Sequence, residues 1–168
     1  MKKALLTYGI PNKEDNPSHF QEFVNTNLRL MSQVAQVSGY APKIIAVSQL
    51  DPYFEEYQKS EGFLFGYVGH GEGHFLGAFP LKRIVRSIEK LPGEKMIVLD
   101  SCTDTFVSRY NPHKGTTLVG AFEVPFCSPI SASLYDAVIA RKTPLEFVIQ
   151  ETLDGMKHNW VKIKRNSF

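Results

Sequence analysis

An α/β domain with a mainly parallel central sheet flanked by helices is the fold class this sequence predicts, and three observations carry it. Short apolar runs rich in β-branched and aromatic residues alternate with longer segments whose apolar residues recur at helical spacing. Glycine or proline punctuates the joins between them. The 168 residues are enough for one domain, taken as residues 1–168, with a core that needs neither disulfide nor metal.

The elements follow in order. Lys3–Tyr8 (KALLTY) reads as a first buried strand, ended by Gly9 and Pro11. Asn12–Ser18 is a polar loop, and Ser18 with Gln21 three residues on has capping-box spacing. From His19 to Val37, apolar residues at 20, 23, 24, 28, 31, 34 and 35 mark a long amphipathic helix, stopped by Gly39. Lys43–Ser48 reads as a second strand, and Asp51–Ser60 as a short helix opened by Asp51–Pro52. Phe63–Val68 and Met96–Leu99 are buried strands on either side of Leu81–Leu91, whose apolar residues at 81, 84, 85, 88 and 91 make a crossover helix. Thr103–Gly115 is expected as a polar loop and Thr116–Phe126 as a strand closed by Pro125. Ser131–Arg141 and Pro144–Met156 read as helices, the second capped by Thr143. Trp160–Phe168 alternates weakly, as an edge strand or a frayed end.

Composition narrows the setting. A net charge of +2 gives no argument for a nucleic-acid partner, although Lys157–Arg165 is locally basic. No apolar run approaches the ~18 residues of a membrane span. The opening MKKALLTYGI is a strand rather than a leader, because Pro11 and a polar stretch break its apolar run early. Two cysteines, Cys102 and Cys127, set no disulfide framework, and a working thiol suits a reducing cytoplasm.

The chemistry sits where the strands end. The first central strand delivers His70–Gly71 and the second delivers Ser101–Cys102, with 32 residues between His70 and Cys102. Neighbouring strands lie about 4.8 Å apart, and sites in such folds lie beyond the carboxyl ends of the strands. A lone cysteine ending a strand is commonly a small packing residue, which is the simplest reading of Cys127. Paired with a histidine at the equivalent end of the next strand, Cys102 reads as a nucleophile and His70 as its general base and acid. Gly71 leaves its N–H open to a substrate carbonyl, and the Cys102 N–H is a second donor to an oxyanion. The run GHGEGH offers His70, Glu72 and His74 as zinc ligands, but its glycines do not make the helix that HExxH sites need. A flexible loop over the site is its expected use. It is neither a Walker A nor a GxGxxG sequence, so a phosphate site is weakly supported.

An apolar block ending in His–Gly, then one ending in a small residue plus Cys, resembles the caspase-like (clan CD) cysteine peptidases, and most of all the CHAT-domain proteases. MIVLDSCTDT is similar to their strand–S–A–C–x–T segment, and TTLVGAFEVPFCSPISASLYDAVIARKTPLEFVIQETL to the strand and two helices that follow. The likeness covers residues 62–153. It implies a caspase-like three-layer sandwich and a thiol endopeptidase acting on a polypeptide substrate without a cofactor. It carries the dyad onto His70 and Cys102, with Gly71 in the oxyanion hole. The sequence departs from the pattern at Asp100–Ser101, where Ser–Ala is usual, and at Glu123, where an aromatic residue is usual. In such folds the strand after the cysteine and nearby loops build the P1 pocket. Glu123 there would accept a basic P1 side chain or else sit solvated at a strand end, Arg109 would instead favour an acidic P1 residue, and Asp100 is a carboxylate available to orient His70 or the substrate. Two other functions stay open: an inactive CHAT-like module that binds a peptide or a regulatory partner protein, and a thiol acyl-hydrolase or transferase.

Overall fold

A computed structural model describes residues 1–9, 18–121, 130, 134–154 and 161–166. Its core is a six-stranded sheet formed by β1 (Lys3–Gly9), β2 (Ala41–Ala46), β3 (Gly62–Gly69), β7 (Glu94–Cys102), β8 (Thr116–Ala121) and β9 (Val161–Asn166). The spatial order is β2-β1-β3-β7-β8-β9. The first five run parallel and β9 returns antiparallel along β8. The tail is therefore an edge strand rather than a frayed end.

Strand alternation divides the apolar residues between two cores. Ala4, Leu6, Leu64, Val68, Met96 and Val98 face α1 (Ser18–Val37), α5 (Asp136–Arg141) and α6 (Leu145–Asp154). Leu5, Phe63, Phe65, Tyr67, Ile97 and Leu99 face α3 (Leu81–Glu89), α4 (Asp104–Arg109) and the segment around α2 (Asp51–Glu56). All eight residues of β3 are buried, which is why its sequence reads as an unbroken apolar run rather than an alternating one. Two helical layers thus enclose a mainly parallel sheet, as the sequence predicts. No helix among the described residues is long and apolar enough to cross a membrane.

Four local expectations change. First, β2 begins at Ala41–Pro42 instead of Lys43; an outer strand tolerates proline because one side of it needs no N–H. Second, the glycine-rich stretch after His70 is a small antiparallel sheet of β4 (Gly71–Glu72), β5 (Phe75–Leu76) and β6 (Phe79–Pro80), not a loop. Gly73 and Gly77, with φ of 53° and 57°, supply the left-handed backbone its two tight turns require. Third, the expected loop Thr103–Gly115 contains α4. Fourth, Thr143 does not cap α6. Its hydroxyl donates to the Arg141 carbonyl, and the Ser38 hydroxyl oxygen, just past α1, accepts the Leu145 N–H at 2.8 Å. The expected closure of β8 by Pro125 lies outside the described residues.

Candidate functional site

The two central strands set the geometry. β3 and β7 are hydrogen-bonded neighbours in a register that ends at Val68 opposite Asp100. That offset, 100 − 68 = 32, leads two residues onward to His70 and Cys102. The carboxyl ends of adjacent parallel strands therefore lead to residues 70 and 102 at the same end of the sheet.

The turn out of β3 is tightly constrained. Gly69 has φ 152°, and a Cβ there would stand 2.6 Å from the Gly9 carbonyl oxygen of β1, so only glycine fits. His70 emerges exposed. Its carbonyl accepts the Tyr67 hydroxyl at 2.7 Å and the Gly77 N–H at 3.2 Å, which fixes the backbone from two sides. Tyr67 is fully buried, and burial holds its phenol well above the ordinary tyrosine range, so it stays a donor. Gly71 is buried with its backbone over Ser101: a Cβ at Gly71 would lie 3.0 Å from Ser101 Oγ.

Cys102 is half-buried at the last position of β7, and its carbonyl accepts the Gly73 N–H at 3.2 Å. The hairpin that follows His70 is thereby tied across to the cysteine strand. Register between β7 and β8 shifts here, from Leu99 opposite Gly120 to Cys102 opposite Ala121, leaving Asp100 and Ser101 as extra residues on β7. Such a bulge twists a strand end and re-aims its side chains. Asp100 is buried at 2% exposure beside the core that holds Tyr135. Burial first, and the Asp100 charge second, push the Tyr135 phenol well up. Arg109 is exposed at the end of α4. Glu123 and Cys127 lie outside the described residues.

Among the described residues no three His, Cys, Asp or Glu side chains gather as metal ligands. His74 instead meets Phe106 edge-on, with ring centroids 6.1 Å apart. Phe106 belongs to α4, which the sequence reading missed although Phe106, Val107 and Tyr110 already have helical spacing. Tyr110 stacks on Phe106 at 4.8 Å and donates its hydroxyl to Glu89 Oε2 at 2.8 Å. Burial, then the Glu89 carboxylate, raise its phenol pKa to about 12.

No family model matches the sequence, and no curated protein matches it. Solved structures do. Caspase-1 from Spodoptera frugiperda superposes over 99% of this chain and 86% of its own, with a TM-score of 0.62 at 14% identity. The chain has a caspase-like fold. The structure described as pro-sf-caspase-1 matches that fold over 99% of this chain and 91% of its own, with a TM-score of 0.64 at 15% identity. The Drosophila initiator caspase Dronc covers 98% and 79% respectively, with a TM-score of 0.60 at 12% identity. At such identities the likeness concerns the caspase-like fold itself.

Proposed function

We propose that this chain is a cysteine endopeptidase in which Cys102 is the nucleophile and His70 the general base and acid. One observation carries the reading: His70 and Cys102 follow the same 32-residue offset as the paired central strands of a caspase-like sheet. In this mechanism His70 accepts the Cys102 thiol proton as sulfur attacks the scissile carbonyl. The Gly71 and Cys102 N–H groups hold the oxyanion. The imidazolium then protonates the leaving amine, and water attacks the thioester to release the acid and restore the thiol. No cofactor enters, and the thiol requires reducing conditions such as those of the cytoplasm.

Specificity rests on the acidic residues. Asp100 lies two residues before Cys102, so it is the buried carboxylate nearest the nucleophile in sequence. It orients His70 or the substrate, and Glu123 accepts a basic P1 side chain. Arg109 is the competing cation, favouring an acidic P1 residue.

The test is a peptide-library cleavage screen with Cys102→Ala as its partner. Cleavage by the native chain, lost in a variant with an unchanged circular dichroism spectrum, is the expected result. Cleavage retained by Cys102→Ala overturns the nucleophile assignment. Absence of cleavage together with a Cys102 that resists iodoacetamide at neutral pH replaces the peptidase with a peptide-binding module.

A further inference from the structure

Resting on the peptidase reading, we propose that Glu89 and Tyr110 are positioning residues, which act through Phe106 and His74 to hold the cysteine and histidine ends in mutual register. The observation is a closed circuit of contacts around the site. From Cys102 the chain enters α4 two residues later. Phe106 of α4, 3% exposed, meets His74 edge-on. The residue before His74 is Gly73, whose N–H returns to the Cys102 carbonyl. The His74 carbonyl in turn accepts the Leu81 N–H at 2.9 Å, securing the hairpin to the start of α3.

Glu89 anchors this circuit to the far end of the same helix. Its side chain is fully buried, an unusual position for a carboxylate. Oε2 accepts the Tyr110 hydroxyl at 2.8 Å and lies 3.4 Å from His113 Nδ1, and Oε1 accepts the His113 backbone N–H at 2.7 Å. Tyr110 then stacks on Phe106 with planes 19° apart. A buried charge is a poor source of net stability, because its desolvation offsets the bonds it makes. What it supplies here is orientation: two directed bonds fix Tyr110, the residue that ends α4, and the loop to His113, and the Tyr110 ring packs on Phe106 of α4, which faces the hairpin. Misplacement of reacting groups by about 1 Å costs on the order of 100-fold in rate, so modest rotation of α4 is enough to register in turnover.

The experiment uses the full chain with Tyr110→Phe, Glu89→Gln and Phe106→Leu, and Val34→Ala on the opposite helical layer as a stability control. The readouts are kcat and KM on a cleaved peptide, the iodoacetamide alkylation rate of Cys102, and Tm. Tyr110→Phe keeps the ring stack and loses only the phenol–carboxylate bond. It is expected to lower kcat by about 5- to 10-fold while KM stays within about 2-fold, and to slow alkylation in parallel as the thiol loses its imidazole partner. Val34→Ala lowers Tm and leaves kcat unchanged below its transition. Values of kcat and alkylation rate within about 2-fold of the native chain in Tyr110→Phe and Glu89→Gln, whatever their Tm, overturn the proposal. Should Phe106→Leu fail to fold, those two variants decide it. A native chain that alkylates at Cys102 but cleaves nothing removes the peptidase reading alone, and the alkylation rates then judge the positioning role by themselves.

Discussion

Gly66→Ala asks how closely α1 is seated on the sheet. Gly66 lies mid-strand in β3, and an added Cβ would collide with Met31 Sδ of α1 and stand 2.9 Å from Leu6 Cδ2 of β1. Met31 is 1% exposed and Leu6 is 0% exposed, so neither has solvent to move into. Overpacking of this kind costs about 1–3 kcal/mol, and the lower entropy of an unfolded alanine returns roughly 0.5–1 kcal/mol. The net loss is about 1–2 kcal/mol. At about 2–4 °C per kcal/mol for a chain of this size, Tm falls by roughly 2–8 °C. Met31→Ala alone opens a cavity worth about 2–5 kcal/mol, but in the double variant the new methyl occupies part of that space. Urea unfolding of the four proteins should therefore show a favourable coupling of at least about 1 kcal/mol. Additivity within about 0.5 kcal/mol, or a Gly66→Ala chain as stable as the native one, refutes the packing argument.

Three further outcomes are expected. Ser38→Ala leaves the Leu145 N–H buried without its acceptor, at about 1–3 kcal/mol, and hydrogen exchange should quicken in α6 before the sheet; unchanged exchange there refutes the capping role. Burial, followed by nearby Glu56 for Tyr57 and Glu89 for Tyr110, raises both phenols to about 12. Because the unfolded chain releases these protons near pH 10 and the folded chain keeps them, their contribution is full below pH 10 and is lost between 10 and 12. The urea midpoint should drop between about pH 9.5 and 11, spanning the ordinary tyrosine value of about 10, by more in the native chain than in Tyr57→Phe/Tyr110→Phe, and parallel pH profiles would count against the shifts. Finally, Glu123→Gln should weaken a preference for Lys or Arg at P1, read from the same peptide library, and an unaltered preference removes Glu123 from the pocket.

What the sequence disclosed and what it hid follow from size and burial. β3, α3 and β7 were legible because each carries a long run of one period: continuous apolar for strands buried on both faces, and 81, 84, 85, 88 for a helix buried on one. That sufficed to put His70 and Cys102 at neighbouring strand ends. The small sheet β4–β6 was not legible, since two-residue strands have no period to detect and their glycines look like any loop. α4 hid for a related reason: six residues at about 3.6 per turn make fewer than two turns, and its apolar face is only Phe106 and Val107 until Tyr110 beyond its end is included. The cap on α6 was beyond reach, because Ser38 is 107 residues away from the N–H it receives. The buried state of Glu89 also escaped notice, as position 89 reads as the polar edge of an amphipathic helix until the loop carrying Tyr110 and His113 closes over it.

The order of strands has a dynamic consequence. β3 and β7 are the middle pair, with β1 and β2 outward on one side and β8 and β9 on the other. Fraying begins at β2 or β9, where one row of backbone groups has no ladder among the described residues, and reaches the central pair only when the sheet is nearly gone. Amides of β3 and β7 should therefore exchange at the rate of global unfolding, and those of β2 and β9 well before. A substitution that weakens an outer strand then thins the population of folded molecules without disturbing the β3–β7 pair in those that stay folded. For the proposed peptidase, loss of total activity and loss of quality at the His70–Cys102 end then become separable quantities, the first set by the edges of the sheet and the second by its centre.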